Sequence, residues 1–224
     1  MEKHINVAID GPAGAGKSTI AKKLAVKLGC IYVDTGALYR TIAYSVLKNG
    51  IDPNDKVAVT DNLVKIKIDI VYDNGVQKVL LDGEDVSGFI RTENVSKTAS
   101  VTSAIPEVRS YLLGLQRRLA EQTSVVMDGR DIGTVVLPDA NVKIFLTASA
   151  EERANRRYKE LVEKGEKADY NEVLTEIKER DERDMNRAVA PLKRADDAVL
   201  IDSSDMTVDE VVAAMEKTVG RKLG

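Results

Sequence analysis

Residues 10–19 read DGPAGAGKST, and their spacing matches G-x-x-x-x-G-K-[ST], with Gly11 as the first glycine and Gly16, Lys17 and Ser18 closing the pattern. A loop of this kind turns several backbone N–H groups toward one anion, which needs backbone angles that glycine adopts at little cost. The helix behind it aims its unpaired N-terminal amides, and the positive end of its dipole, at the same point. Lys17 adds a mobile positive charge for β- and γ-phosphates, and Ser18 offers a hydroxyl to Mg2+. Both flanks agree. INVAID (5–10) is a short apolar run of strand type, and KSTIAKKLAVKL (17–28) sets Ile20, Leu24 and Leu28 on one helical face. Gly11, Pro12, Ala13, Gly14, Ala15, Gly16, Lys17, Ser18 and Thr19 are therefore expected to hold the phosphates of ATP or GTP.

The same alternation continues outward. CIYVD (30–34), SVVMDG (124–129), VKIFLT (142–147) and DAVLID (197–202) are further apolar runs bounded by turn signals, as in strands buried on both faces of a parallel sheet. Helical patterns lie among them at 35–50, 106–121, 149–164, 170–187 and 207–219. Strands alternating with helices predict an α/β fold of three layers around a five-stranded parallel sheet. One segment breaks the rhythm: VKIKIDIVYDNGVQKVLLDGEDV (64–86) alternates apolar and polar residues around Asn74 and Gly75, the signature of a β-hairpin with one wet face. Residues 63–102 are read as an inserted subdomain containing this hairpin and a short helix, with 1–62 and 103–224 forming the core.

Composition narrows the chemistry. The chain has 224 residues, of which 31% are charged and 43% hydrophobic, and a formal net charge of −3, which gives no electrostatic footprint for nucleic acid or a membrane surface. Neither the opening residues nor any later stretch has the apolar length of a signal peptide or a membrane span, so a cytoplasmic location is expected. Cys30 and His4 are the only cysteine and histidine, which excludes an internal disulfide and a Cys/His zinc cluster and leaves catalysis to lysine, arginine, carboxylates and metal. No N-K-x-D or LSGGQ-like segment supports a GTPase or a transport ATPase.

Arginine is plentiful instead. Arg40, Arg109, Arg130, Arg180 and Arg187 stand at predicted element edges, and Arg153, Arg156 and Arg157 recur at helical spacing. Phosphoryl transfer brings two polyanions together and spreads charge over equatorial oxygens, which planar guanidinium groups neutralise without giving up a proton. Asp128 ends an apolar strand, where a carboxylate would hold Mg2+ through water together with Ser18. A small-molecule kinase, a nucleotide-dependent regulatory ATPase and a nucleic-acid 5′-end kinase share the loop. The arginines favour the first, and the net charge disfavours the last.

DGPAGAGKST (10–19), DTGALYR (34–40), GEDVSGFIRT (83–92), SAIPEVR (103–109), DGRDIGTVV (128–136), EERANRRY (151–158) and KERDERDMNRAVAPL (178–192) together resemble the bacterial cytidylate kinases, in order and over nearly the whole chain. The resemblance implies phosphorylation of CMP and dCMP, small-molecule acceptors, by ATP with Mg2+; a monomer is expected because no contiguous exposed apolar stripe stands out in the sequence. It implies that Lys17 bridges to the transferred group, and that Thr35, Arg40, Arg130 and Arg187 contact the acceptor, chiefly its phosphate. Ser100, Arg109 and Asp131 would read cytosine, while Arg180 and Asp184 would engage the acceptor's phosphate and sugar. Residues 63–102 would be the acceptor-binding insertion. Residues 151–168 would be a short mobile lid, its Arg153 and Arg157 acting at the transferred phosphoryl group.

Overall fold

The apolar runs read from the sequence are the strands of one sheet: β1 (Asn6–Asp10), β2 (Ile31–Asp34), β6 (Val125–Gly129), β7 (Val142–Thr147) and β8 (Val199–Asp202). Their order across the sheet is β2-β6-β1-β7-β8, and β1 pairs in parallel with both β6 and β7, as β7 does with β8. Central position explains composition. Val7, Ala8 and Ile9 on β1 and Val125, Val126 and Met127 on β6 are fully buried, so both faces of these strands are apolar up to the carboxylates at their ends.

The structure, a computed structural model, describes residues 4–223, and the chain divides into two units. The first runs up to Tyr32 and resumes at Thr123. In it, helices α1 (Lys17–Leu28) and α8 (Val208–Leu223) bury Ile20, Leu24, Val211 and Met215 with Val7, Ile9, Ile144 and Leu146 of the sheet. Two further helices, α6 (Ala150–Glu163) and α7 (Tyr170–Asn186), share a smaller apolar cluster of Ala154, Val173 and Ile177.

The second unit is Val33–Gln122. It holds α2 (Thr35–Lys48), α3 (Lys56–Leu63), the antiparallel strands β3 (Ile68–Asp73), β4 (Val76–Leu81) and β5 (Glu84–Asp85), α4 (Glu93–Thr102) and α5 (Pro106–Gln122). Asn74 and Gly75 both have positive φ, 50° and 76°, between paired Asp73 and Val76, which is the two-residue turn expected of that dipeptide. This unit is wider than the 63–102 insertion read from the sequence. A single core unites Leu38, Ile42 and Val46 of α2 with Ile68, Val79 and Leu81 of the hairpin and Val108 and Leu112 of α5. The physical reason is that a hairpin with one apolar face cannot bury it alone. The helices that cover it lie on either side in sequence.

Candidate active site

In the first unit the phosphate loop connects β1 to α1. Gly11 has φ +152°, and a Cβ placed there would lie 1.9 Å from the carbonyl oxygen of Leu146 on β7, so no other residue lets the loop leave the sheet at this point. Helix α1 begins at Gly16 with no side-chain cap and no acidic residue in its first turn, which reserves its positive end for an anion. Lys17 is 5% exposed, and its ammonium donates to the Pro12 carbonyl at 2.7 Å. Burial, with the charge of Arg130 adding to it, holds Lys17 well below the usual lysine range despite Asp128, Asp10 and Asp184 nearby. A group this reluctant to carry its charge gains most from a phosphate delivered beside it.

Ser18 Oγ donates to Asp128 Oδ2 at 3.0 Å, and the Tyr32 hydroxyl donates to Asp128 Oδ1 at 2.8 Å. The strand end, the first turn of α1 and β2 thus hold one hydroxyl and one carboxylate together beside the loop. Among the described residues no group of three or more His, Cys, Asp or Glu side chains could hold a metal ion. Mg2+ needs no such cage when phosphates and waters fill most of its shell, and the donor set of Ser18 and Asp128 fits it.

Asp10, at the end of β1, accepts the backbone N–H groups of Ile132 and Gly133, each at 2.7 Å. These open a π-helical turn (Ile132–Val136) that directly follows Arg130 and Asp131. Burial raises the Asp10 carboxyl from 3.8 to about 6, against the pull of the two amides. A carboxyl whose folded value lies above its unfolded value binds its proton more tightly when folded, so its contribution to stability falls as pH rises from about 4 to about 6, by about 3 kcal/mol. Asp10→Asn is expected to lack this decline. Urea midpoints of the two proteins compared at pH 4 and pH 6.5 check it, and parallel pH profiles would remove the assignment.

On the same side of the sheet, Arg130 Nε donates to Asp184 Oδ2 at 2.8 Å, and Arg187 Nη2 lies 3.5 Å from Asp131 Oδ1 and Nη1 4.0 Å from Asp184 Oδ1. Arg187 Nε donates to the carbonyl of Ala190, a non-glycine residue with φ +49°. Burial alone would raise the Asp184 carboxyl, but Arg130, Arg180 and Arg187 together hold it below the ordinary carboxylate value. Arg180 and Asp184 share helix α7, but Arg187 follows its last residue in extended conformation and is not on the helical face the spacing suggested; charge still gathers at one place, where arginines outnumber carboxylates.

The arginines expected in the lid divide. Arg157 is half exposed, with Glu160 3.5 Å away, whereas Arg156 donates to Glu152 and to the Ser203 carbonyl. Arg153 is buried, and bonds the Ala13 and Ala148 carbonyls and both oxygens of Asp181. Helix α6 ends at Glu163, and Gly165 turns the chain toward α7 with φ +77°.

In the second unit, Asp34 caps α2 by accepting the Ala37 amide at 2.9 Å. Its other oxygen takes Arg40 Nη2 at 3.0 Å and Arg91 Nη2 at 3.3 Å, and Gln77 bonds its backbone. Thr35 is buried at the start of the same helix. Arg109 is buried, donates to the Ser103 carbonyl at 3.2 Å and lies 5.3 Å from the ring of Tyr39. The buried Ser100 Oγ and Arg40 Nε have no hydrogen-bond partner among the described residues. Such atoms cost free energy unless something occupies them, and a polar ligand would. Sequence reasoning gave no role to Arg91, Asp34, Tyr32, Asp10 or Asp181. Arg91 stands within GFIRT (88–92), and only its place in that motif could have signalled it.

Residues 7–221 match the protein family described as cytidylate kinase. The chain is 55% identical over 210 residues to the cytidylate kinase of Caldicellulosiruptor bescii, covering 94% of this chain and 93% of the relative. It is 50% identical over 223 residues to that of Bacillus licheniformis, covering 99% of each. Among solved structures, a shikimate kinase from Bacteroides thetaiotaomicron covers 96% of the chain, and 98% of its own length is matched, with a TM-score of 0.50 and 12% identity. That likeness concerns the fold.

Proposed function

The chain belongs to the cytidylate kinase family, and from this premise we infer that it transfers the γ-phosphoryl group of ATP to the phosphate of CMP or dCMP, giving ADP and CDP or dCDP. The observation that carries the reading is the gathering, within one unit, of the phosphate loop, the Ser18–Asp128 pair and the Arg130–Asp184–Arg187–Asp131 cluster. One bond from the γ-phosphorus to the ADP oxygen breaks as one to a phosphate oxygen of the acceptor forms. The attacking oxygen is already anionic and needs no general base, in keeping with a chain whose one histidine is His4.

Lys17 follows the transferred group as charge shifts, and Arg130 and Arg157 neutralise it as it spreads. Ser18 and Asp128 would hold Mg2+, which supplies charge neutralisation at the phosphates when bound. For the acceptor we assign Thr35, Arg40, Ser100, Arg109, Arg130, Asp131, Arg180, Asp184 and Arg187, as the family resemblance implies. Residues 63–102 are assigned as the inserted acceptor-binding segment that contributes Ser100, and 151–168 as the lid. We further propose a cytoplasmic monomer. The single Cys30 supports a reducing compartment, and no helix among the described residues is long and apolar enough to cross a membrane.

Base choice follows from hydrogen-bond direction. Cytosine has an exocyclic amine that a carboxylate such as Asp131 can accept from, while Arg109 and Ser100 donate to its acceptors. Uracil would turn a carbonyl toward the carboxylate, an unpaired arrangement costing about 2 kcal/mol or more. Asp131→Ala is expected to shrink the preference for CMP over UMP by a few tens-fold, measured as a ratio of kcat/KM. An unchanged ratio would falsify the role of Asp131.

The test of the function itself is an initial-rate panel with Mg·ATP and CMP, dCMP, UMP, AMP, GMP or shikimate as acceptor. ADP is expected to form fast with CMP and dCMP and slowly with the others. Equal slow formation in every case would leave the phosphate loop standing and remove the acceptor reading.

A further inference from the structure

We infer that Asp181 is a positioning residue which, through Arg153, ties the phosphate loop to helix α7, so that donor and acceptor occupancy are coupled along this link. The inference rests on the acceptor reading above, because α7 also carries Arg180 and Asp184 and is capped at its C-terminus by Arg187.

Arg153 satisfies four of its five N–H groups: Nε bonds the Ala148 carbonyl at 3.0 Å, Nη1 bonds the Ala13 carbonyl and Asp181 Oδ1, each at 3.0 Å, and Nη2 bonds Asp181 Oδ2 at 2.6 Å. Its side chain is 5% exposed and that of Asp181 14%, so this fork is shielded from water and its geometry is well defined. A Cβ placed at Gly14 would lie 3.4 Å from Arg153 Cβ, so the stem of the arginine also lies along the loop.

The bond to Ala13 has a consequence for the loop. The Ala13–Gly14 peptide is planar and trans, so holding its carbonyl oxygen also fixes the direction of the Gly14 N–H, on the opposite side. Arg153 therefore sets the orientation of one loop amide, and Asp181 sets the orientation of Arg153. Three residues along α7, Asp184 grips Arg130 at 2.8 Å. Two carboxylates about 4.5 Å apart along one helix axis thus hold the loop and the acceptor arginines respectively. A shift or rotation of α7 cannot satisfy one carboxylate without moving the other. No route of comparable directness is needed, because the helix itself is the rigid element.

The experiment measures the Kd of CMP by calorimetry with and without saturating Mg·β,γ-imido-ATP, for the wild type, Asp181→Asn and Asp181→Glu. The wild type is expected to show a ratio of the two Kd values of about fivefold or more in either direction. Asp181→Asn, which keeps one acceptor oxygen but loses the charge and the fork, should bring that ratio to within about twofold of one and raise KM for ATP about tenfold. Its Kd for CMP alone should stay within about twofold of the wild-type value. Asp181→Glu restores the carboxylate and should recover most of the ratio. A wild type that binds CMP with no ratio, or an Asp181→Asn protein that keeps the full ratio, overturns the inference alone. A wild type that does not bind CMP overturns the acceptor reading as well. Should Asp181→Asn fail to fold, hydrogen exchange on the wild type decides. CMP alone must change exchange at loop residues 13–16, and the ATP analogue alone must change it near 184–187; if either segment is unmoved, the inference fails.

Discussion

Lys17→Met is expected to lower kcat about 1,000-fold or more and, at the same time, to make the nucleotide-free protein more stable. The loss follows from the role proposed for Lys17 at the transferred group: removing one such contact to developing charge costs about two to three orders of magnitude, more where a cation faces a phosphoryl group. The gain in stability follows from burial. The side chain is almost shut off from water, its ammonium donates to the Pro12 carbonyl, and the charge of Arg130 repels it. The net of these influences, including attraction by Asp128, Asp10 and Asp184, still disfavours the charged form. Methionine fills a similar volume without charge, and replacing buried charge by apolar atoms is worth about 1–4 kcal/mol in favourable cases. The pH dependence gives an independent check. A lysine whose folded value is depressed binds its proton less tightly in the folded state than in the unfolded one, so the wild type should gain stability as pH rises toward the ordinary value of 10.5, and the variant should not. Denaturation in urea at pH 7 and pH 9 without nucleotide reads both effects. A variant less stable than the wild type at pH 7 would mean that Lys17 is a structural cation, whatever its part in transfer. Adding ADP should then favour the wild type, because a ligand stabilises in proportion to its affinity for the folded state.

Much of this site could be read from local sequence, because its strongest features are local. The loop is ten consecutive residues, the five strands are short apolar runs, and the Asn74–Gly75 turn is a dipeptide whose conformation follows from its two residues. The spacing that brings Arg180 and Asp184 together is a property of one helix, whereas Arg187 comes to them as the extended residue that caps it. What could not be read is the set of partners that hold these groups in place. Tyr32 reaches Asp128 across 96 residues, Asp10 meets the amides of the π-helical turn across 122, and Arg153 finds Asp181 across 28. Periodicity says which face of an element is buried, and says nothing about which polar group on another element it meets. Arg153 shows the cost most clearly. Its neighbours in EERANRRY suggested a cation for the transferred phosphoryl group, yet its N–H groups are spent on carbonyls and a carboxylate within the fold. The width of the second unit was illegible for a related reason. A hairpin pattern declares an apolar face but not the helices that cover it, here α2 and α5 on either side of β3 and β4.

Asp184→Asn is expected to destabilise the protein by about 3–5 kcal/mol at neutral pH, the usual cost of removing one partner from a buried ion pair. The residue is buried, accepts from Arg130 at 2.8 Å, and balances Arg180 and Arg187 as well. Asparagine keeps the shape and one acceptor oxygen but leaves three guanidinium groups without that counter-charge. Its pH signature has a definite sign. A carboxyl held below 3.8 in the folded state contributes stability in full above that value and loses it as pH falls toward the folded value, so the two proteins should converge under acid conditions. The same argument predicts a rescue. An anion that enters the cluster supplies the missing negative charge, so sulfate should recover part of the loss in Asp184→Asn and do much less for the wild type. Chloride at equal ionic strength is the control for screening, which lowers repulsion without occupying a site. If sulfate and chloride act alike, the cluster is only an internal charge balance, and its arginines are not organised to receive a phosphate. If sulfate alone rescues, the vacancy left by one carboxylate is an anion site, which is the property that an acceptor phosphate would use in the unmodified protein beside Asp184.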